Sequence, residues 1–416
     1  MPQPCFAERG RWARAAQDAG GSAMTGDPAP LRVAFVLGLA AGGTARHVAE
    51  LAAACRTAGL AVSVLAPGPT LAFLRADTGI ETFTLSIGER ARPASDVVAV
   101  TRLRNGLASW RPGVVHAHGV RAGAFAALAG TGRTRRPAPV GRQRPALIVT
   151  VHNAPPAGRG SRLVYAVLER ICARRADLVL CASEDLAARM RDLGAAEVEQ
   201  FDVSAPVAMQ PSPAEVANAR DDIGAGARPV VLAVGRLAPQ KGLDVLIDAA
   251  GRWRDRDPEP RTVIAGDGPL AAVLRAQAGR AQADVLLLGQ REDVPALLEV
   301  ADVVVVPSRW EARALILQEA MRSGKPVVAT RVGGTPGLVG GDGTTGIGAS
   351  TDNSAVLIPP DDPAALAAAV TAVLDDPALA ARLGLAARAR SAAFPAEEDA
   401  VKSAISAYAR LAANRS

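Results

Sequence analysis

Three scarcities frame this sequence. Aromatic residues make up only 3% of it. The core must therefore be built from Ala, Val and Leu, and an all-β sandwich resting on aromatic cross-strand pairs is disfavoured. The four cysteines, Cys5, Cys55, Cys172 and Cys181, are scattered with no C-x-x-C pair. That excludes a disulfide framework and a zinc ribbon, and fits a reducing compartment. Lysine is the third scarcity. Lys241, Lys325 and Lys402 are the only lysines among 47 basic residues. A lysine kept in so arginine-biased a chain points to a need for a compact point charge. No run of 18 apolar residues is free of charge, and the first 30 residues lack the apolar stretch of a secretory leader. Neither a membrane-spanning helix nor a signal peptide is expected, and the expected location is the cytoplasm.

What is present is a chain of 416 residues, 49% apolar and 21% charged, which is the composition of a folded protein. A single core rarely grows past roughly 300 residues, so two domains are expected. Charge divides unevenly. Residues 31–205 carry 22 basic against 13 acidic side chains, whereas residues 206–416 carry 22 against 25. The basic half could face an anionic partner such as a lipid surface, or could simply be a solvated arginine-rich face. Five arginines fall within Arg133–Arg144. This loop suits an anionic membrane or lipid phosphate, and a solvated loop equally.

Short apolar runs alternate with Ala/Leu-rich stretches of helical spacing. Residues 31–37, 60–65, 114–118, 147–152 and 177–181 read as strands, with helices between them. The strands are continuously apolar rather than alternating, as in parallel sheets buried on both faces. Pro206, Pro211 and Pro213 then interrupt the pattern and read as a linker, incompatible with a helix or central strand. A second series follows, with strands at 230–234, 262–265, 285–288, 303–306 and 327–329. The expectation is a flexible tail at 1–30, Rossmann-like domains at 31–205 and 206–395, and a helix at 396–416 returning to the first domain. Both sheets should be parallel, in an α/β fold with the ligand cleft facing the carboxyl ends of the strands.

Several motifs carry chemistry. The first strand runs through Gly38 to Gly42, Gly43 and Thr44 before a helix. Glycines there let a ligand approach helix amides, although many βα turns are glycine-rich. Gly266-Asp-Gly268-Pro-Leu-Ala271 imitates a dinucleotide fingerprint, but Asp284 precedes its strand and sits at the wrong end for a ribose. Arg236 and Lys241, in Gly-Arg-Leu-Ala-Pro-Gln-Lys-Gly, lie where a strand gives way to a helix. Two cations there suit a diphosphate. Glu311 and Glu319 stand eight apart in an apolar setting. Carboxylates so placed accept hydrogen bonds from vicinal diols. His118 and His152 each close an apolar run, as ligand-facing or core histidines. Asp255 and Asp257 form a D-x-D in a Pro-rich loop, not at a strand end, and no metal site is expected.

Together these motifs resemble those of the retaining glycosyltransferases of the group 1 / family 4 type, from about Arg32 to Asp399. Glu311 and Glu319 match that family's Glu-x7-Glu, and Gly235, Arg236, Leu237, Lys241 and Gly242 its Gly-Arg-Leu…Lys-Gly. Gly266–Pro269 match its Gly-Asp-Gly-Pro turn. The resemblance implies the GT-B fold, two Rossmann-like domains facing a central cleft. It also implies retaining, metal-independent transfer of a sugar from a UDP- or GDP-sugar to an acceptor hydroxyl, with no cofactor and no nucleic-acid partner. The acceptor would be lipid-linked or a small glycoside, as in cell-envelope glycan or glycolipid synthesis, with peripheral membrane contact at the inner face.

Carried over by position, His118, Glu311, Arg236 and Lys241 would be catalytic. Arg236 and Lys241 would hold the diphosphate, Glu319 the ribose, Glu311 the sugar, and the amides near Leu315 and Ile316 the sugar or phosphate. Gly289 and Gln290 would lie along the base, Gly42 and Gly43 would close over the donor, and His118 and His152 would line the cleft. The family often has Gly-Phe-Gly between the glutamates, where this chain has Ala312-Arg313-Ala314, which narrows the sugar site. A sugar-nucleotide epimerase on the same fold and a non-catalytic nucleotide-sugar binder are the rival readings.

Overall fold

Unbroken Val, Leu and Ile runs cannot sit at a surface, and each becomes a strand covered on both faces. The computed structural model describes residues 30–39, 43–74, 80–88, 92–133, 143–153, 159–201, 205, 209–340 and 354–415. The chain divides into two units, Met1–Val203 with Ala396–Ser416, and Ser204–Pro395.

Unit 1 contains strands β1 (Arg32–Leu37), β2 (Ala61–Ala66), β3 (Glu81–Thr84), β4 (Val114–His118), β5 (Ala146–Val151), β6 (Leu178–Cys181) and β7 (Val198–Gln200). They form one parallel sheet in the order β3-β2-β1-β4-β5-β6-β7. Helices α1 (Gly43–Thr57), α2 (Gly68–Leu74), α3 (Pro93–Trp110), α4 (Val120–Leu128), α5 (Arg159–Arg175) and α6 (Glu184–Asp192) connect them. Right-handed crossovers put α1 and α2 on one face and α3 to α6 on the other. The β1-to-β4 junction is where strand order reverses, the place where open α/β sheets bind ligands.

Unit 2 repeats the plan with β8 (Val230–Val234), β9 (Arg261–Ala265), β10 (Val285–Gly289), β11 (Val303–Val306), β12 (Val327–Thr330) and β13 (Val356–Ile358). Its sheet is also parallel, in the order β10-β9-β8-β11-β12-β13, and reverses between β8 and β11. Its helices are α7 (Pro213–Asp222), α8 (Leu243–Ala250), α9 (Ala271–Ala281), α10 (Val294–Val300), α11 (Leu315–Arg322), α12 (Thr335–Val339), α13 (Pro363–Asp375) and α14 (Pro377–Ser391). Asp362 and Asp376 cap α13 and α14, accepting from the amides of Ala364, Ala365 and Leu379. Each cap is followed by proline at the first helical position.

One helix after unit 2, α15 (Glu397–Ala413), packs into the unit 1 core. Its buried Ala400, Val401, Ala404, Ala407, Tyr408 and Leu411 recur at helical spacing and meet β1, β4 and α1 residues.

Pro213 does not prevent a helix, contrary to the reading of 206–213 as a linker. It occupies the first turn of α7, where its missing N–H has no partner to lose, behind a capping box of Ser212 and Glu215. The short strands β3, β7 and β13 were also absent from the sequence reading. The first two lie at the edges of their sheet and are largely exposed or half-buried, so they lack the apolar signature. No single described helix is long and apolar enough to cross a membrane.

Candidate active site

The β8-to-β11 junction of unit 2 gathers four loops. The loop after β8 carries Arg236 and leads into a short 3-10 turn, Pro239–Lys241. The loop after β11 carries Ser308, Arg309, Trp310 and Glu311. The two are locked together. Arg309 N–H donates to the Gln240 carbonyl at 2.7 Å, and Gln240 Nε2 donates to the Trp310 carbonyl at 2.8 Å. The Arg309 guanidinium forks onto Asp244 at 2.9 and 2.6 Å, and also reaches Asp361 and the Pro239 carbonyl, each at 2.6 Å. Burial opposes ionisation of Asp244, but the Arg309 fork outweighs it and holds the carboxyl below its ordinary range.

Two glycines show how close this packing is. Gly242, at φ +61°, would bring a Cβ to 2.1 Å from the Pro307 carbonyl oxygen. Gly266, at φ +141°, would bring one to 1.9 Å from the Gly235 carbonyl oxygen. The Gly266–Gly268 turn that imitates a dinucleotide fingerprint is therefore a buttress. It holds the Arg236 loop through Leu237 N–H to the Asp267 carbonyl at 3.0 Å and Leu270 N–H to the Leu237 carbonyl at 3.0 Å. Asp284, the acid that fingerprint would require, instead pairs with Arg228 and Arg261.

On this frame Lys241 Nζ pairs with Glu311 Oε1, which also accepts from Ser308 Oγ at 2.8 Å. The Glu311 side chain is 7% exposed and that of Lys241 26%. A buried carboxylate is costly unless paired in this way. Sequence reasoning assigned Lys241 to a diphosphate and Glu311 to a sugar as separate tasks, whereas the two neutralise each other. Arg236, by contrast, is exposed, and its guanidinium makes no hydrogen bond or ion pair among the described residues. Gly334 N–H anchors the Glu311 carbonyl at 2.9 Å. Ala312 and Ala314 are buried, and Ala314 begins α11 without a side-chain cap. The first-turn amides of Leu315 and Ile316 thus have no capping side chain to accept from them. Glu319 is half-buried one turn along. Gly289 ends β10 at φ +74°, its carbonyl accepting from Gly266 N–H at 2.7 Å, and Gln290 beside it is exposed.

The β1-to-β4 junction of unit 1 has a different chemistry. His118 is the last residue of β4 and His152 follows β5. Their rings stack at 13° with centroids 5.6 Å apart, and His118 Nδ1 lies 3.3 Å from His152 Nε2. His116, two residues before His118 and so on the same face of β4, lies ring to ring at 4.2 Å from it. His47 of α1 stands 6.0 Å from His118. All four histidines of the chain meet here. His116 is held on both nitrogens, by the Tyr408 hydroxyl of α15 at 2.7 Å and the Thr150 hydroxyl at 2.6 Å.

Burial pushes His47 down to about 4 and His152 to about 3, and puts His116 and His118 well below the ordinary range, with neighbouring imidazoles adding to it. The cluster is neutral near pH 7, and His118 Nε2 is buried with no partner among the described residues. Among those residues no group of His, Cys, Asp and Glu could hold a metal ion. Gly43 opens α1, while Gly42 lies outside the described residues. Sequence reasoning missed His47, His116, Tyr408 and Arg309. Alternation along β4 alone places His116 beside His118.

Comparison with known proteins follows the same division. Residues 228–376 match the model of glycosyl transferases group 1, and residues 41–200 that of glycosyltransferase family 4. Glycogen synthase of Mycobacterium tuberculosis is 30% identical over 385 residues, covering 84% of this chain and 86% of that one. The chain belongs to the group 1 / family 4 glycosyltransferases. The α-D-kanosaminyltransferase of Streptomyces kanamyceticus is 35% identical over 171 residues, 40% of this chain and 42% of that protein. The GDP-mannose-dependent phosphatidylinositol monomannoside mannosyltransferase of Mycolicibacterium smegmatis is 36% identical over 43% of this chain and 47% of its own length. Less than half of either relative is thus matched. Among solved structures, Anabaena HepE in complex with UDP-glucose superposes with a TM-score of 0.73 at 20% identity, covering 91% of this chain and all of that one. The shared fold is GT-B, an α/β pair of Rossmann-like units, as the sequence motifs implied.

Proposed function

We propose that this chain moves a sugar from a UDP- or GDP-sugar to an acceptor hydroxyl, with retention at the anomeric carbon and without a metal. The observation that carries this reading is the contrast within unit 2. An exposed Arg236, with no partner among the described residues, stands on the same loop as Lys241, which neutralises the buried Glu311 of the neighbouring loop beside Ser308. Arg236 meets the donor diphosphate. Lys241 then divides its charge between the diphosphate and Glu311, which turns to the sugar hydroxyls as the pair loosens. Glu319 takes the ribose diol, Gly289 and Gln290 border the base, and the first-turn amides of α11 receive sugar or phosphate oxygen. Charge developing on the leaving diphosphate is offset by Arg236, Lys241 and that helix terminus.

The neutral His118 offers Nε2 to a sugar or acceptor hydroxyl, as donor or acceptor according to its tautomer. Retention follows if the acceptor attacks on the face the diphosphate leaves, the departing phosphate oxygen taking the acceptor proton. Support comes from the matched relatives, which include a GDP-mannose-dependent mannosyltransferase, and from HepE, solved with UDP-glucose. The acceptor is lipid-linked or a small glycoside, and the arginine-rich unit 1 meets an anionic membrane peripherally at its inner face.

The test is thermal stability with UDP, GDP, ADP, TDP and NAD, without metal, on wild type and Lys241→Ala. A nucleotide at about a hundred times its Kd adds roughly 2.7 kcal/mol. One nucleoside diphosphate should stabilise wild type and fail on the variant. Stabilisation by NAD alone would overturn the reading, and sugar transfer from the matching donor separates an enzyme from a binder.

A further inference from the structure

Helices α3, α4 and α5 pack side by side on one face of the unit 1 sheet. Their outward surface is unusual in two respects. First, large aliphatic side chains stand in solvent on all three: Leu163, Val164 and Val167 of α5, Val97 and Val98 of α3, and Leu128 of α4. Leu163 is 71% and Val97 67% exposed. Single exposed aliphatics are ordinary, but here six lie on three adjacent helices, three of them within five residues of α5. Leu163 and Val167 are one turn apart, and Arg170 and Arg174 continue the same stripe at helical spacing.

Second, these three helices carry no uncommitted acid among the described residues. The only acid in α3 is Asp96, paired with Arg121 at 2.8 Å. The only acid in α5 is Glu169, fully buried and held by two nitrogens of Arg189 at 2.8 and 2.7 Å. Helix α4 has none. Arg162, Arg170 and Arg174 are exposed and form no ion pair among the described residues. Arg133 is tied to this same layer, its N–H donating to the Arg175 carbonyl at the end of α5 at 2.7 Å.

We propose that this face of α3, α4 and α5 docks on an anionic lipid bilayer. Leu163, Val164 and Val167 enter the headgroup–acyl boundary while Arg162, Arg170 and Arg174 meet lipid phosphates. The side chains favour lipid over an acidic protein. The patch is aliphatic, whereas protein interfaces concentrate energy in Trp and Tyr. Trp110 of α3 is buried and the Tyr165 hydroxyl of α5 is turned to the Asn153 carbonyl at 3.0 Å. The inference rests on the peripheral-membrane part of the reading above and not on sugar transfer.

The experiment is flotation of the full chain with phosphatidylcholine vesicles, with and without phosphatidylglycerol at about a third of the lipid, at low and high salt. Nucleotide stabilisation is measured in parallel on each variant. Wild type should float with the anionic vesicles only. Arg170→Gln with Arg174→Gln should lower partitioning about 25-fold, since each charge near the surface contributes about 1 kcal/mol, or a factor of five. Leu163→Ser with Val167→Ser should lower it at least about tenfold and leave the nucleotide shift intact. Equal flotation of wild type with and without phosphatidylglycerol, or none with either, would overturn the proposal and turn the search to acidic proteins. Undiminished flotation of both variants would also overturn it, by moving the surface elsewhere. A chain that floats as expected but ignores every nucleotide would leave the docking surface standing and remove the donor reading.

Discussion

Two units of one topology have filled the same position in opposite ways. In each, a parallel sheet reverses its strand order and polar side chains gather at the reversal. Unit 1 fills that place with four imidazoles, kept neutral by burial and presented mainly from strand ends and one helix. Unit 2 fills it with full charges, Lys241 and Glu311, Arg309 and Asp244, and an Arg236 unpaired among the described residues, on two loops fastened to each other and to the first turn of α8. Neutral imidazoles discriminate hydroxyls by hydrogen bonding, and paired charges can be redistributed when a polyanion arrives. The fold supplies the location, while the side chains decide which part of a sugar nucleotide each location suits.

The comparison can be broken by variants. Lys241→Ala leaves Glu311 buried without its cation. Turnover should fall about a hundredfold, and unfolding free energy by about 3 kcal/mol, read by donor consumption and urea denaturation. If Glu311→Gln on that background restores stability but not turnover, charge burial and ligand binding are separated. Gly266→Ala drives a Cβ into the Gly235 carbonyl at a positive φ. It should cost about 2–3 kcal/mol and weaken nucleotide binding, by displacing the Arg236 loop and Gly289, which Gly266 holds through its backbone.

Acid should act on unit 1 first. His47 has its folded value depressed from 6.5 to about 4, so the unfolded chain binds the proton more readily. The resulting stability is present above pH 6.5 and is lost as pH falls towards 4. The loss from His47 alone is about 2 kcal/mol near pH 5. Hydrogen exchange should show unit 1 opening before unit 2, which has no histidine, and His47→Phe should flatten the slope. The smallest stability effect belongs to Arg236→Ala. An exposed cation without a partner should change unfolding by under about 0.5 kcal/mol while nucleotide affinity falls. An equal loss in both quantities would mean that Arg236 is structural.

Much of this was legible because the strongest signals are local. The central strands announce themselves as unbroken Val and Leu runs, and the Glu-x7-Glu spacing puts one carboxylate before α11 and the other inside it. The misses were of two kinds. Edge strands such as β3 and β7 bury little and so carry no apolar run, and Pro213 was weighed as a breaker although the first helical turn accepts it. The other kind depends on residues far apart in sequence. The Arg309–Asp244 fork joins positions 65 residues apart, and the His116–Tyr408 bond spans 292. No window of sequence shows such pairs. The Gly266 turn imitates a dinucleotide fingerprint for a related reason. Close approach to a neighbouring loop demands the same glycines as close approach to a pyrophosphate.

The helix α15 gives the chain an order of events. Its Tyr408 reaches His116, and its apolar stripe covers part of one face of the unit 1 sheet beside α1. During vectorial synthesis the whole of unit 2 leaves the ribosome before that covering helix exists. Until then the nascent first unit has a partly uncovered sheet and an imidazole lacking one of its two partners. Unit 1 is thus begun first and finished last. A ribosome-stalled chain ending before Ala396 should expose its half-made core to a protease, and one extended past Leu411 should not.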